Sequence, residues 1–179
     1  MPNSWFAVDK DGLCKLIAER GKTFVLHELI QNTWDTNAKN VSVRLEKLPS
    51  KPYAELTVID DDPDGFHDLS HAYTLFAESV KKGDPTKRGR FNLGEKLVLA
   101  LCKSARVEST TGSVIFNEDG TMSRSRKKTE KGSVFQAVIR MTQVEFDEVS
   151  AEMFRLIPPE GITTLFNGEE ILPFEPGLK

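Results

Sequence analysis

The stretch Phe24-Val25-Leu26-His27-Glu28-Leu29-Ile30-Gln31-Asn32-Thr33-Trp34-Asp35-Thr36-Asn37-Ala38 decides how this chain is read. Leu26, Leu29, Ile30 and Thr33 or Trp34 recur at helical spacing, which predicts a helix with one apolar face. Glu28, Asn32 and Asp35 follow at i, i+4 and i+7, so an acid, an amide and a second acid project from one side. On a solvated helix two aligned carboxylates only repel each other. They suit a site that holds a hydrated divalent cation and activates a water. Mg²⁺ takes oxygen ligands and keeps several waters, so one amide oxygen plus substrate phosphates is enough. A carboxylate one turn away is then placed to act as general base.

The flanks extend the pattern. Residues 9 to 20 read as a first helix with Leu13, Leu16 and Ile17 on one face, ended by Gly21. Val41, Val43 and Leu45 alternate with polar residues and predict a half-buried strand. A turn over residues 49 to 52 leads to a second strand, 53 to 60, and then to the acidic turn Asp60-Asp61-Asp62-Pro63-Asp64-Gly65. Residues 68 to 79 read as a helix. Residues 80 to 93 read as a basic loop, and Gly94 opens an apolar helix through Leu101. Strands are expected at 106–110, 113–116 and, facing solvent, 122–127. The strand 134–141 is expected to close the main sheet. Residues 143 to 156 read as a helix with Val144, Phe146 or Val149, and Phe154 as its stripe. A hairpin over 162–172 turns at Asn167-Gly168.

Bulk composition narrows the classes. The 179 residues are 39% hydrophobic and 28% charged, an ordinary globular chain of one domain, or one domain and the start of another. With 24 basic and 27 acidic residues the net charge is −3, which gives no general pull toward nucleic acid or membrane. No apolar run is long enough to span a bilayer, and Met1 to Trp5 lacks the features of a signal peptide. Cys14 and Cys102 both fall in helical patterns and are expected as buried thiols in a reducing compartment. A cytoplasmic location follows as an expectation. The zinc-protease reading of His27-Glu28 fails because Gln31 stands where HExxH needs its second histidine. The acidic turn lacks the spacing of a calcium loop.

Four stretches occur in order: Glu28-Leu29-Ile30-Gln31-Asn32 with Asp35; Asp61-Asp62-Pro63-Asp64-Gly65; Gly89-Arg90-Phe91-Asn92-Leu93-Gly94-Glu95-Lys96-Leu97; and Gly132-Ser133 entering a strand. Over about residues 9 to 141 this order resembles the nucleotide-binding domain of gyrase B, the ninety-kilodalton heat-shock chaperone, histidine kinases and MutL, the GHKL superfamily with its Bergerat fold. The first block fits the family's ELxxNxxD box without departure. The resemblance implies Glu28 as general base, Asn32 as Mg²⁺ ligand and Asp35 as a polar residue lining the site. It implies Asp61 as the acid that accepts from the adenine amino group, Gly65 as the second glycine of DxGxG, and Ser133 as a hydroxyl beside the base. The third block resembles a phosphate lid, closest to the MutL type, and implies phosphate contacts from Phe91, Gly94, Glu95 and Lys96. Pro63 replaces the first glycine of DxGxG. The acid-rich run Asp60 to Asp64 leaves the adenine-reading position open by one residue. Only Gly89 and Gly94 remain of the usual lid glycines.

The expected fold is an α/β (α+β) two-layer sandwich, a mixed and mostly antiparallel sheet with helices on one face. Residues 1–141 are expected to form the ATP-binding domain, and 142–179 a helix and hairpin resembling the start of a transducer. The resemblance implies ATP and Mg²⁺ as cofactors and slow ATP hydrolysis that gates a lid, weak in the isolated chain. It also implies homodimerisation on ATP binding and a protein or DNA partner through another region, while the composition leads to the expectation of no membrane contact. A protein kinase of the anti-sigma or histidine-kinase type and a non-catalytic nucleotide sensor are the alternatives.

Overall fold

The computed structural model describes residues 21–65, 69, 99 and 101–172. The expected helices at 9–20 and 68–79, the loop 80–93, Cys14 and the lid residues Phe91, Gly94, Glu95 and Lys96 lie outside them. Leu99 and Leu101 are helical, as expected for the stretch opened by Gly94.

The organising stretch is helical from Lys22–Trp34, named α1. Val25, Leu26, Leu29, Ile30, Thr33 and Trp34 fall on its buried side. The last carbonyls of the helix find donors past its end: the Thr36 hydroxyl donates to Thr33 O at 2.7 Å, and the backbone Asp35 N donates to Gln31 O at 3.1 Å. Free carbonyls at a helix end need such partners.

Strand β1 (Asn40–Lys47) buries Val41, Val43 and Leu45 in strict alternation. Strand β2 (Tyr53–Asp60) does the same with Ala54, Leu56 and Val58. β3 (Cys102–Ser109), β4 (Gly112–Phe116), the fully exposed β5 (Met122–Ser125) and β6 (Ser133–Arg140) follow. Helix α2 (Gln143–Met153) starts with a reciprocal capping box between Thr142 and Glu145, which satisfies two otherwise open N–H groups. β7 (Thr163–Phe166) and β8 (Glu169–Glu170) form the expected hairpin. Its turn residues Asn167 and Gly168 have φ of 49° and 89°, the left-handed pair that a tight hairpin selects.

The strands form one sheet in the order β5-β4-β3-β6-β2-β1-β7-β8. Among the described residues only the β1–β7 pair is parallel. One apolar cluster joins α1, α2 and the same face of the sheet, with Leu26, Leu29, Val43, Leu56, Ala137, Val149 and Phe166 among its members. Among the described residues α1 and α2 therefore cover the same face, as the two-layer expectation requires. Lys22 in the first turn of α1 pairs with Glu145 in the first turn of α2.

Three local expectations change. Cys102 is a buried thiol, as expected, but it begins a strand and not a helical turn. β6 is not the last strand of the sheet, because β7 adds to the far side of β1. The apolar stripe of α2 is Val149 and Met153, while Val144 and Phe154 stand exposed at 66% and 47%. A sequence repeat cannot say which side of a short helix meets a neighbour, and contact with α1 fixed it here. Phe154 instead packs edge-on against Phe166, with ring centroids 5.2 Å apart.

Candidate functional site

Residues two apart on a strand share a face, so the floor under the helices can be read row by row. One row runs Phe166, Val43, Val58, Phe135, Val107 and Val114 across β7, β1, β2, β6, β3 and β4. It is apolar and buried throughout. The next row toward the sheet end runs Thr164, Val41, Asp60, Ser133, Ser109 and Gly112. The floor thus turns from apolar to polar within one step of the pleat. Ser109 and Thr164 have no exposed surface at all, and Asp60 is 8% exposed.

Asp60 is the charged group of that row. Its Oδ1 accepts from Asp62 N at 3.0 Å and Ser133 N at 3.3 Å, and its Oδ2 accepts from the Ser133 hydroxyl. A carboxylate offers about four acceptor positions. Among the described residues three are filled, and the remaining one belongs to Oδ2 beside Ser133. Burial raises the Asp60 carboxyl above its ordinary value, opposed by the hydrogen bonds from Ser133 and Asp62.

Asp61 points elsewhere. Its Oδ1 accepts from Lys39 N and Asn40 N, both at 2.8 Å. Its Oδ2 accepts from Asn40 Nδ2 at 2.9 Å and lies 3.6 Å from Lys131 Nζ. The Asn40 side-chain bond first, and the backbone bonds with it, hold this carboxyl well below the usual range. Asp62 turns the loop: its carboxylate accepts from Asn37 N and Asp64 N, and its carbonyl accepts from Gly65 N and Gly132 N at 3.2 and 2.7 Å.

Two glycines let this loop seat. Gly65 has a φ of +59°, and a Cβ there would stand 2.6 Å from Ser109 Oγ. Gly132 has a φ of +69°, and a Cβ there would stand 1.9 Å from the Asp60 carbonyl oxygen. Any side chain at 132 would displace the backbone that carries Asp60.

The C-terminal end of α1 is tied to the same region. Trp34 Nε1 donates to Thr164 Oγ1 at 2.9 Å, and the Asn37 and Asn40 bonds follow just downstream. Asn32 and Asp35 are buried, at 1% and 8% exposure, and Glu28 one turn earlier is half-buried. The structure therefore brings the C-terminal end of α1 and the second and fourth sequence blocks to one end of the sheet. The third block is outside the described residues. The sequence left the adenine-reading aspartate open by one residue; of the two neighbours Asp60 lies on the buried face, in parity with Leu56 and Val58.

Residues 22–153 match the sequence profile described as histidine kinase-, DNA gyrase B-, and HSP90-like ATPase. The chain belongs to this family. Comparison with curated proteins finds no match. As a GHKL-type ATPase domain it is an ATP-binding chain, and the α+β architecture agrees with that fold. Among the described residues no helix is long and apolar enough to cross a membrane.

The polar row sets a buried carboxylate beside a hydroxyl, a pair able to meet the polar edge of a ligand. For Mg²⁺ the test is the donor set. Among the described residues no three acidic, histidine or cysteine side chains gather to hold a metal ion. The buried Asn32 offers an amide oxygen on α1, and such an oxygen together with nucleotide phosphates would suit Mg²⁺.

Proposed function

We propose that this chain binds Mg·ATP at the polar end of its sheet, with Asp60, and not Asp61, reading the adenine amino group. The observation that carries the reading is the remaining acceptor position on Asp60 Oδ2, buried beside Ser133. Adenine offers one exocyclic N–H there. Guanine would place a carbonyl oxygen against the carboxylate, leaving both desolvated groups without a donor. Asp61 turns its carboxylate away from this row to Lys39 and Asn40, and turning it inward would break those three bonds.

The other roles follow the family likeness. Glu28, on the same helix as Asn32, polarises the attacking water as general base. Asn32 supplies the protein's ligand to the metal, with Asp35 beyond it. When bound, Mg²⁺ neutralises phosphate charge. Gly65 lets the loop backbone approach the base, and Phe91, Gly94, Glu95 and Lys96 form the phosphate lid. Hydrolysis by the isolated chain is slow and serves to switch the lid, with ATP-dependent homodimerisation as its output. Residues 142–179 relay that switch toward a transducer-like segment, in a cytoplasmic protein.

Calorimetric titration of Mg·ATP and Mg·GTP into the wild type and Asp60→Asn tests the core of this reading. In the variant the amide directs an N–H toward the adenine amino group, so ATP affinity should fall at least tenfold. Equal ATP binding by the two proteins, or GTP bound by the wild type as tightly as ATP, overturns it. For the hydrolytic step, Glu28→Ala should retain ATP and lose phosphate release. For the dimer, light scattering with a non-hydrolysable analogue should show a doubled mass.

A further inference from the structure

β1 and β2 pair from Lys47↔Ala54 to Val41↔Asp60, and the next pair would be Asn40 with Asp61. At that point the main-chain ladder ends and a side chain replaces it. The Asp61 carboxylate collects Lys39 N, Asn40 N and Asn40 Nδ2, all within 2.9 Å. The far side of the same segment is also held, because Lys39 O accepts from Thr163 N of β7 at 2.9 Å. Lys39 and Asn40 are thus clamped between β7 and a carboxylate one residue from Asp60.

We propose that Asp61 is a positioning residue that sets the aim of Asp60, with Asn40 as its partner. The inference rests on the adenine-reading role assigned to Asp60. A peptide linking two aspartates can rotate and exchange their directions, since both are short acids at a strand end. Three features block that exchange. Asp61 is fastened outward to β1. The Asp60 carbonyl is covered by Gly132 with no room for even a methyl group. The Asp62 carbonyl takes Gly65 N and Gly132 N together. With Asp61 fastened, Asp60 stays on the helix-covered face with Oδ2 toward Ser133. Lys131, 68% exposed, adds little, because a solvated ion pair at 3.6 Å is weak. The bonded donors therefore do the fastening, and they need an acceptor at 61 more than a charge.

That distinction gives the test. Asp61→Asn keeps one acceptor oxygen for the two backbone N–H groups but sets its own N–H₂ against Asn40 Nδ2. Adding Asn40→Asp reverses that bond and restores it. Mg·ATP and Mg·GTP affinities are read by calorimetry on the full chain, with thermal melting alongside. D61N should weaken ATP about tenfold and narrow the ATP-to-GTP ratio, and N40D/D61N should return both to within about threefold of the wild type. Asn40→Ala, which removes one bond of the three, should show a smaller loss in the same direction if D61N does not fold. A lowered melting temperature in D61N or N40A with unchanged affinity and base ratio overturns the proposal. So does an affinity loss that the double variant fails to recover. If Asp60→Asn leaves ATP binding intact, the adenine assignment itself has failed, an outcome distinct from a failure at Asp61.

Discussion

Gly132→Ala probes the tightest glycine site among the described residues, and Gly120→Ala is its control. Both glycines have φ in the left-handed region, at +69° and +82°. Each alanine therefore meets a conformational cost of about 1–2 kcal/mol. The surroundings differ. A Cβ at 120 meets nothing within 4 Å, whereas one at 132 falls 1.9 Å from Asp60 O and 2.7 Å from Asp60 C. Both obstacles are backbone, so about 1.5 Å of main-chain movement is needed, an overpacking that adds about 3 kcal/mol. Gly132 N→Asp62 O at 2.7 Å is then strained as well. The total is about 4–5 kcal/mol for Gly132→Ala against about 1–2 for Gly120→Ala. Urea unfolding should resolve that gap, and melting should fall by about 10 °C or more in the first and about 3–5 °C in the second. ATP affinity should fall only in the first, measured below its melting range, because Asp60 is the residue displaced. Equal destabilisation of the two variants would refute the close-approach argument, and an unperturbed ATP affinity in Gly132→Ala would separate this contact from the site.

Acid titration should show the two neighbouring aspartates acting in opposite directions. The raised Asp60 carboxyl holds its proton in the folded chain at pH values where the unfolded chain has lost it, so it lowers stability as pH rises from about 4 toward its folded value. The depressed Asp61 carboxyl contributes stability above about pH 4 that is lost on further acidification. Asp60→Asn should therefore remove a penalty near neutral pH, and Asp61→Asn should flatten the loss below pH 4, both read by denaturant unfolding at several pH values. Trp34→Phe leaves the buried Thr164 hydroxyl without its donor and should cost about 1–3 kcal/mol in urea unfolding, with Thr164→Val in the same chain recovering part of it. Leu26→Ala removes a fully buried side chain beneath α1 and should cost about 2–5 kcal/mol. Thr142→Ala opens the capping box of α2 and should cost about 1 kcal/mol with no effect on ATP affinity.

Several features could be read without coordinates because they depend on near neighbours in the chain. Alternation fixed the buried faces of β1 and β2. Helical spacing placed Asn32 on the stretch that became α1. Asn167-Gly168 specified its own turn, since only residues tolerant of positive φ fit it. The family, too, was legible from four short motifs in order. What resisted was whatever depends on distant neighbours. The stripe of α2 was misassigned at Val144 and Phe154, though not at Val149, because α1, more than 100 residues earlier in the chain, selects its buried side.

The acidic loop shows where that boundary lies. Sequence alone determined that a cluster of carboxylates ends β2 and that a glycine follows, because composition and local turn chemistry are properties of the chain. It could not assign the aspartates their separate duties. Asp60 faces inward because β6 brings Ser133 beside it, and Asp61 faces outward because β1 offers three unpaired N–H groups. Hydrogen-bond partners of identical side chains are chosen by which strands become neighbours, and strand order is a property of the folded sheet.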